Sequence, residues 1–174
     1  MSDVRVARIL EEMLRFSAGN LHDIDHLIRV WTYARTIGEL EGLDGATQFV
    51  LEVAAITHDL ACPLCREKYG NTDGKNQERE SAALVEHFFA GTGVPADMVD
   101  RIAWLAAHHH TYGAVDGPDH QILLEADFLV NADESAYSPA MILEAYTRMF
   151  KTAAGKRLLA AVYFPDGVPC PPQV

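Results

Sequence analysis

Apolar residues recur at the spacing of an α-helix along almost the whole chain. One stripe contains Leu27, Val30, Ala34 and Ile37, which lie on one face of a helix with about 3.6 residues per turn. No segment alternates apolar and polar residues between hairpin turns, as a half-buried strand would. The pattern therefore predicts an all-α fold.

The breaks in this pattern divide the chain into about six or seven helices. Glycine, asparagine and proline, which interrupt or cap helices, mark most of the breaks. We predict helices at about 3–16, 23–40, 44–60, 77–90, 95–109, 119–134 and 139–152, with a short helical piece at 156–162. We predict that segment 61–76 is a loop able to cover a site and that the proline-rich tail is extended.

Length and composition bound the class of protein. The chain has 174 residues, of which 49% are apolar, and this fits a single domain over residues 1–174 with a sizeable core. Its 14 lysines and arginines against 25 acids give a net charge of −11, which disfavours binding to a nucleic-acid duplex or an anionic membrane. An anionic substrate would therefore need a local positive centre.

Cysteines and hydropathy bear on the compartment. The three cysteines, Cys62, Cys65 and Cys170, are too few and too unevenly spaced for a disulfide framework, which favours a reducing compartment. Alternatively, CPLC at 62–65 could be a redox motif or half of a zinc site. No long uncharged run resembles a signal or membrane segment, so we expect a soluble cytoplasmic protein.

Ionisable residues interrupt otherwise apolar helical faces at four places. His58 and Asp59 end the most apolar helix of the chain, and Asp127 lies on the apolar stripe of a later one. His26 lies near the start of the second helix, and three histidines at 108–110 follow an apolar run. Because a buried charge without a partner is costly, each group must find a hydrogen bond, an opposite charge or a metal ion.

Each place also has an ordinary structural explanation. A lone histidine on an apolar face is commonly a hydrogen-bonded core residue, and Asp59 could cap a helix end. Asp127 could pair with Arg29 or Lys75, and the three histidines could be a solvated helix terminus. Together, however, two imidazoles and two carboxylates on three helices suit a divalent cation. The adjacent His58 and Asp59 can converge on one ion only where their helix ends, because neighbouring helical residues point about 100° apart.

These residues and their surroundings resemble the HD-domain metal-dependent phosphohydrolases. The likeness lies in His26 within DHLIRVWTYA, the doublet His58-Asp59 within AAITHDL, and Asp127 within EADFLVN. Their order and approximate separations are similar to those of the family. The resemblance implies that these four residues hold one divalent ion per chain, with Mn, Mg, Co, Ni, Zn and Fe as candidates.

The resemblance also implies a fold and an activity. The fold is a single helical bundle with its metal-binding core at about 22–134 and a C-terminal helix and tail at 138–174. The activity is hydrolysis of a phosphomonoester or phosphodiester bond in a small molecule, a nucleotide by family likeness, with metal-activated water. Asp59 would also position or deprotonate the attacking water.

Basic residues near these positions are candidates for contacts with phosphate. Arg29 lies one helical turn from His26, where its guanidinium could bind phosphate oxygens or form a buried salt bridge to Asp127 or Asp25. Lys68, in the predicted loop, could reach a substrate phosphate or could be solvated. Both residues are therefore catalytic candidates beside the metal ligands.

The histidine run introduces the alternative of a second ion. Dinuclear members of the superfamily add histidines between the doublet and the last aspartate, and this chain has Glu80, His87, His108 and His109 in that interval. If Glu80 or His87 joined His108 or His109, a second metal could be held, so the two latter residues are further catalytic candidates. The alternatives to a hydrolase are a diiron oxygenase on the same fold and a non-catalytic, metal-stabilised regulatory module. A homo-oligomer is compatible with all three.

Overall fold

The computed structural model describes residues 4–169, which form nine α-helices and no strand. The helices are α1 (Val4–Phe16), α2 (Leu21–Glu41), α3 (Gly45–Thr57), α4 (Cys62–Tyr69), α5 (Gly74–Phe89), α6 (Ala96–His108), α7 (Gly117–Glu134), α8 (Pro139–Arg148) and α9 (Ala153–Tyr163). The all-α prediction is confirmed. The helices outnumber the predicted six or seven, because α4 is additional and the short piece near 156–162 is the full helix α9.

The main correction concerns segment 61–76, which the sequence predicts as a loop. Helix α4 occupies Cys62–Tyr69 of that segment. Pro63 lies in its first turn, where the missing N–H removes no helical hydrogen bond. Gly70 ends the helix in the left-handed conformation, at φ 72°. Pro63, which suggests a break in the helical pattern of the sequence, therefore lies in the first turn of a helix.

Helix α3 is the central element of the bundle. Its residues from 49 to 57 are all buried, and it contacts α1, α2, α6 and α7. The side chain of Asp44 accepts hydrogen bonds from two N–H groups in the first turn, which fixes where the helix begins. Because α3 is surrounded along its length, its C-terminal end lies inside the molecule, where polar groups need partners.

Helices α2 and α7 pack against α3 and against each other. The predicted stripe of α2 is confirmed, since Leu27, Val30, Ala34 and Ile37 are all buried in the core. Gly42 ends α2 in the left-handed conformation, at φ 75°. None of the helices in the described part of the chain is both long enough and apolar enough to cross a membrane.

A buried carboxylate of α7 attaches the C-terminal helix to the core. Glu125 accepts hydrogen bonds from the backbone N–H groups of Lys151 and Thr152, at 2.6 and 3.0 Å, and from the Thr152 hydroxyl. Thr152 in turn caps α9 by accepting a hydrogen bond from the Gly155 N–H at 2.9 Å. Residues 170–174, which include two of the four prolines of the predicted extended tail, lie outside the described residues.

Candidate metal centre

Three helices bring the predicted ligands together. His26 lies in α2 and Asp127 in α7, while His58 and Asp59 follow Thr57, the last residue of α3. His58 keeps helical backbone angles, φ −62° and ψ −33°, and the chain turns directly after it. The doublet therefore lies at a helix end, where two adjacent side chains can point to the same place.

Three buried ligand atoms form a nearly equilateral triangle. His26 Nε2 lies 3.4 Å from His58 Nε2 and 3.3 Å from Asp127 Oδ1, and the distance from His58 Nε2 to Asp127 Oδ1 is 3.5 Å. The centre of such a triangle lies about 2 Å from each corner, which is the length of zinc–nitrogen and zinc–oxygen bonds. The three residues therefore fit a divalent cation both in spacing and in their mixture of nitrogen and oxygen donors.

Hydrogen bonds at the outer nitrogens orient both imidazoles. His58 Nδ1 lies 2.9 Å from the backbone oxygen of Ala55, and His26 Nδ1 lies 2.9 Å from Glu134 Oε2. A carbonyl and a carboxylate can only accept, so each Nδ1 donates its hydrogen, and in the neutral ring Nε2 keeps its lone pair. Metal-binding histidines are commonly held in this way, with the second nitrogen donating to a carbonyl or carboxylate.

Asp59 and His109 extend the cluster. Asp59 Oδ2 lies 3.5 Å from His26 Nε2, and Asp59 Oδ1 lies 3.1 Å from His109 Nε2. His109 Nδ1 donates to the backbone oxygen of Ala106 at 2.7 Å, so the neutral ring has no hydrogen on Nε2. Both Asp59 Oδ1 and His109 Nε2 are buried. Because neither atom carries a hydrogen, they form no hydrogen bond with each other and have no other hydrogen-bond partner. Such a pair of atoms calls for a cation or a proton between them.

The carboxylates make the centre strongly negative. Burial alone would lower the pKa of His26, but the neighbouring carboxylates raise it to about 9. Burial alone would raise the pKa of Asp127, yet hydrogen bonds with His26 and His58 hold it below its usual range. The pKa of Asp59 is likewise held well below its usual range by the neighbouring histidines, against the effect of burial. A field that keeps a proton on imidazole also attracts a divalent cation, with which that proton competes.

A cavity of about 340 Å³ opens beside the cluster. The residues that line it include His26 and Asp59 of the cluster, together with Arg66, Gln77 and His110. The side chain of Asp59 is 17% exposed, whereas those of His26, His58 and Asp127 are more deeply buried. Asp59 is therefore a predicted ligand that a molecule in the cavity can approach.

The basic residue on the cavity wall is Arg66, which the sequence did not single out. Among residues 4–169, it is the one arginine or lysine that lines the cavity, and its guanidinium forms an ion pair with Asp23. Arg29 instead pairs at the surface with Asp133 at 2.6 Å and Glu134 at 3.3 Å. The predicted buried salt bridge from Arg29 to Asp127 or Asp25 is therefore wrong, and Arg29 does not line the cavity.

Asp127 has histidine partners in place of the predicted cations. Its Oδ1 contacts His26 and His58, and the predicted alternative, a pair with Arg29 or Lys75, is wrong. Lys68 lies on α4, where its ammonium group binds Glu80 at 2.7 Å rather than lining the cavity. The proposed contact of Lys68 with substrate phosphate therefore has no support from its position.

The histidine run divides between two places. His109 lies against Asp59, whereas the His108 ring stacks on Trp104 with ring centroids 4.2 Å apart, and its Nδ1 donates to the Trp104 backbone oxygen at 2.7 Å. The structure thus brings His109 into the cluster and leaves His108 outside it.

The predicted ways of holding a second ion are not formed. Glu80 is held by Lys68 and Tyr69, and His87 lines a separate groove near Phe16. The structure offers a different second group, in which ligand atoms of His58, Asp59 and His109 all lie within 4.8 Å of one another. A second ion, if held, would therefore share the doublet rather than use Glu80 or His87.

The two cysteines of CPLC are buried, free thiols near the start of α4. Burial raises the pKa of both Cys62 and Cys65, which keeps them protonated and disfavours reactive thiolates. Cys170 lies outside the described residues.

Sequence reasoning missed the residues that surround the predicted ligands. Glu134, which orients His26, lies seven residues after Asp127, so the two share a face of α7, and that spacing could have identified it. Arg66 and Gln77 carry no comparable signal, because their roles depend on how α4 and α5 pack beside the cavity.

The comparison with protein families agrees with this geometry. The model of the family described as HD domain matches residues 23–138, which include the two histidines, the doublet aspartate and Asp127. Searches of the curated proteins and of the solved structures found no match. The matched span covers more than half of the 174 residues. The chain therefore belongs to the HD-domain family, within the superfamily of metal-dependent phosphohydrolases.

Proposed function

We propose that this chain hydrolyses a phosphomonoester or phosphodiester bond of a small molecule, a nucleotide by family likeness. The observation that carries the proposal is the triangle of His26, His58 and Asp127, with Asp59 beside it on a cavity wall. The cavity volume, about 340 Å³, is within the range of small-molecule sites. With a net charge of −11, a small phosphate ester is a better substrate than a nucleic-acid duplex or a membrane lipid.

His26, His58, Asp59 and Asp127 are the residues that would hold one divalent ion, with Mn, Mg, Co, Ni, Zn and Fe as candidates. The chemistry that such an ion supplies is a lowered pKa of bound water and polarisation of a phosphoryl oxygen. The same positive charge allows an anionic substrate to approach a strongly acidic protein.

Asp59 is the residue that we assign to the attacking water. Its low pKa keeps the carboxylate ionised, so it can accept a hydrogen bond from water that enters through the cavity. His109 Nε2 lies 3.1 Å from Oδ1 of the same carboxylate. Asp59 would therefore help to orient the water toward the phosphorus atom.

Arg66 is the residue that we assign to the substrate phosphate. A guanidinium has five N–H donors, so Arg66 can keep its contact with Asp23 and still donate to phosphate oxygens. Its side chain is 43% exposed and lies on the cavity wall, as a group that meets an incoming ligand must. Arg66 would therefore have the role in binding phosphate that the sequence predicts for Arg29.

The proposal is tested by a hydrolysis assay with each candidate metal. The substrates are p-nitrophenyl phosphate, bis(p-nitrophenyl) phosphate and a set of nucleoside mono-, di- and triphosphates, with the Asp59→Ala variant beside the wild type. We expect metal-dependent turnover that falls by at least about 100-fold in the variant. Turnover that is equal in the variant, or absent with every metal, would contradict the proposal. Absent turnover with intact metal binding would instead favour the regulatory module.

A second candidate function is a diiron oxygenase on the same fold. The observation that favours it is the second ligand group, His58, Asp59 and His109. It requires two irons per chain, so the metal content of the purified protein separates it from the hydrolase.

A further inference from the structure

We infer that Gln77 is the specificity residue of this site, and that its side-chain oxygen accepts a hydrogen bond from a hydroxyl or amino group on the non-phosphate part of the substrate. The inference rests on the proposed function and adds to it the chemical class of the substrate. Gln77 lies on α5 and lines the same cavity as Asp59.

The orientation of the Gln77 side-chain amide follows from the hydrogen bond that it donates. Its Nε2 donates to the backbone oxygen of Thr72 at 2.8 Å. Because a carbonyl oxygen can only accept, the nitrogen must face Thr72, and Oε1 must face the other way. Gln77 is only 5% exposed, and its Oε1 is buried without a hydrogen-bond partner. Gln77 thus lines the cavity with an acceptor whose hydrogen bond the protein itself does not supply, and a buried acceptor left in this way is costly.

A second glutamine shows why the cavity matters. Gln48 also has an Oε1 without a partner, while its Nε2 donates to Glu52 at 2.9 Å. That oxygen lies against Gly38 of α2 so closely that a Cβ atom at Gly38 would overlap it. Gln48 is thus packed between two helices, whereas Gln77 lies on a cavity wall where a ligand has room.

His110 also lines this cavity and has a polar atom without a hydrogen-bond partner. That atom, Nε2, is buried. The ring is held between the His109 ring, with centroids 3.9 Å apart, and Gly74, where a Cβ atom would lie 2.9 Å from the ring. The absence of a side chain at Gly74 therefore gives the His110 ring its place. Two residues that line one cavity thus each have a buried polar atom without a hydrogen-bond partner, and the proposed chemistry uses neither atom.

The chemistry of these atoms indicates which part of the substrate they contact. Ionised phosphate oxygens are acceptors and suit Arg66 and a cation, but they cannot donate to Gln77 Oε1. A hydroxyl or amino group can donate, and nucleosides and sugars carry both kinds. The walls of the cavity therefore match a phosphate ester whose organic part bears a hydrogen-bond donor.

The test uses pairs of phosphate esters that differ by one donor. AMP is compared with purine riboside 5′-monophosphate, which lacks the amino group, and with 2′-deoxyAMP, which lacks a hydroxyl. Glucose 6-phosphate is compared with 2-deoxyglucose 6-phosphate. The metal-loaded protein is measured for kcat/KM and, by thermal shift, for binding. We expect wild type to favour the donor-bearing member of at least one pair by about tenfold, and the pair concerned identifies the group.

Gln77→Met retains the side-chain length and removes both polar atoms, and Gln48→Met is the matched control. We expect the preference to fall to within about twofold in Gln77→Met and to persist in Gln48→Met. A wild-type protein without preference in any pair, a preference that survives in Gln77→Met, or an equal loss in Gln48→Met would overturn the inference. Binding preference without turnover would support the role of Gln77 and contradict hydrolysis, whereas turnover without preference would do the reverse.

Discussion

The Nε2 atoms of His26 and His58 lie 3.4 Å apart, although the two residues are separated by 32 positions in the chain. Each ring is held from its other side, His26 by the Glu134 carboxylate and His58 by the Ala55 backbone oxygen. The protein itself therefore directs the two Nε2 atoms toward one point. The ligand geometry is prearranged, so little rearrangement is needed to bind an ion.

Replacing each of the two candidate arginines should change KM to a different extent. Arg66→Ala should raise KM for a phosphate ester by about tenfold or more, because it removes charge-assisted hydrogen bonds to phosphate. Arg29→Ala, which loses only surface ion pairs with Asp133 and Glu134, should change KM by less than about twofold. Steady-state kinetics of the two variants checks this, and a larger effect at Arg29 than at Arg66 would reverse the assignment.

Stability of the chelator-treated protein should fall at alkaline pH. The pKa of His26 is about 9 in the folded protein, against 6.5 for an ordinary histidine. A pKa raised on folding stabilises the protein fully below pH 6.5, and this stabilisation is lost as pH rises through about 9. We therefore expect the Tm measured in chelator to decline across that interval.

His26→Gln is the control for this pH dependence, because glutamine does not titrate there. Its Tm should decline less than that of wild type between pH 6.5 and 9. Parallel declines in the two proteins would show that other groups, such as the thiols, determine the alkaline loss.

Predictability from sequence differed between helices. The stripe of α2 follows from local periodicity and is as predicted, whereas α3 ends at Thr57, three residues before its predicted end at 60. The sequence does not predict helix α4, because Pro63 and the turn residues around it favour a loop, although a proline in a first turn is compatible with a helix. Local pattern thus predicts long helices well and short ones between turn residues poorly.

For the site, the sequence predicts the candidate ligands but not the contacts that depend on tertiary packing. Family likeness identified the four candidate ligands, which the structure brings together. It could not choose between the adjacent His108 and His109, because the turn at the end of α6 directs one to Trp104 and the other to Asp59. The sequence also does not predict the ion-pair partners of Arg29 and Arg66, since ion pairs between residues far apart in the chain depend on tertiary packing.

A glycine substitution in α9 tests whether Glu125 attaches this helix to the core, and a glycine substitution in α3 is the control. A Cβ atom at Gly155 would overlap Glu125 Oε2, the carboxylate that caps the start of α9. Gly155→Ala should therefore lower the free energy of unfolding by about 1–3 kcal/mol. Gly45→Ala, at the open start of α3, meets no atom within 4 Å and should be neutral or stabilising by up to about 1 kcal/mol. Denaturant unfolding of both variants measures the difference, and equal effects would contradict the role of Glu125.

Metal content tests the proposed centre most directly. Elemental analysis is made on protein purified without added metal or chelator, for wild type, His58→Ala and the control His108→Ala, whose ring stacks on Trp104. We predict one divalent ion per chain in wild type and in the control, and loss of the ion with a lower Tm in His58→Ala. Two irons per chain would favour the oxygenase. Unchanged metal occupancy in His58→Ala, or no metal in wild type, would contradict the proposed centre.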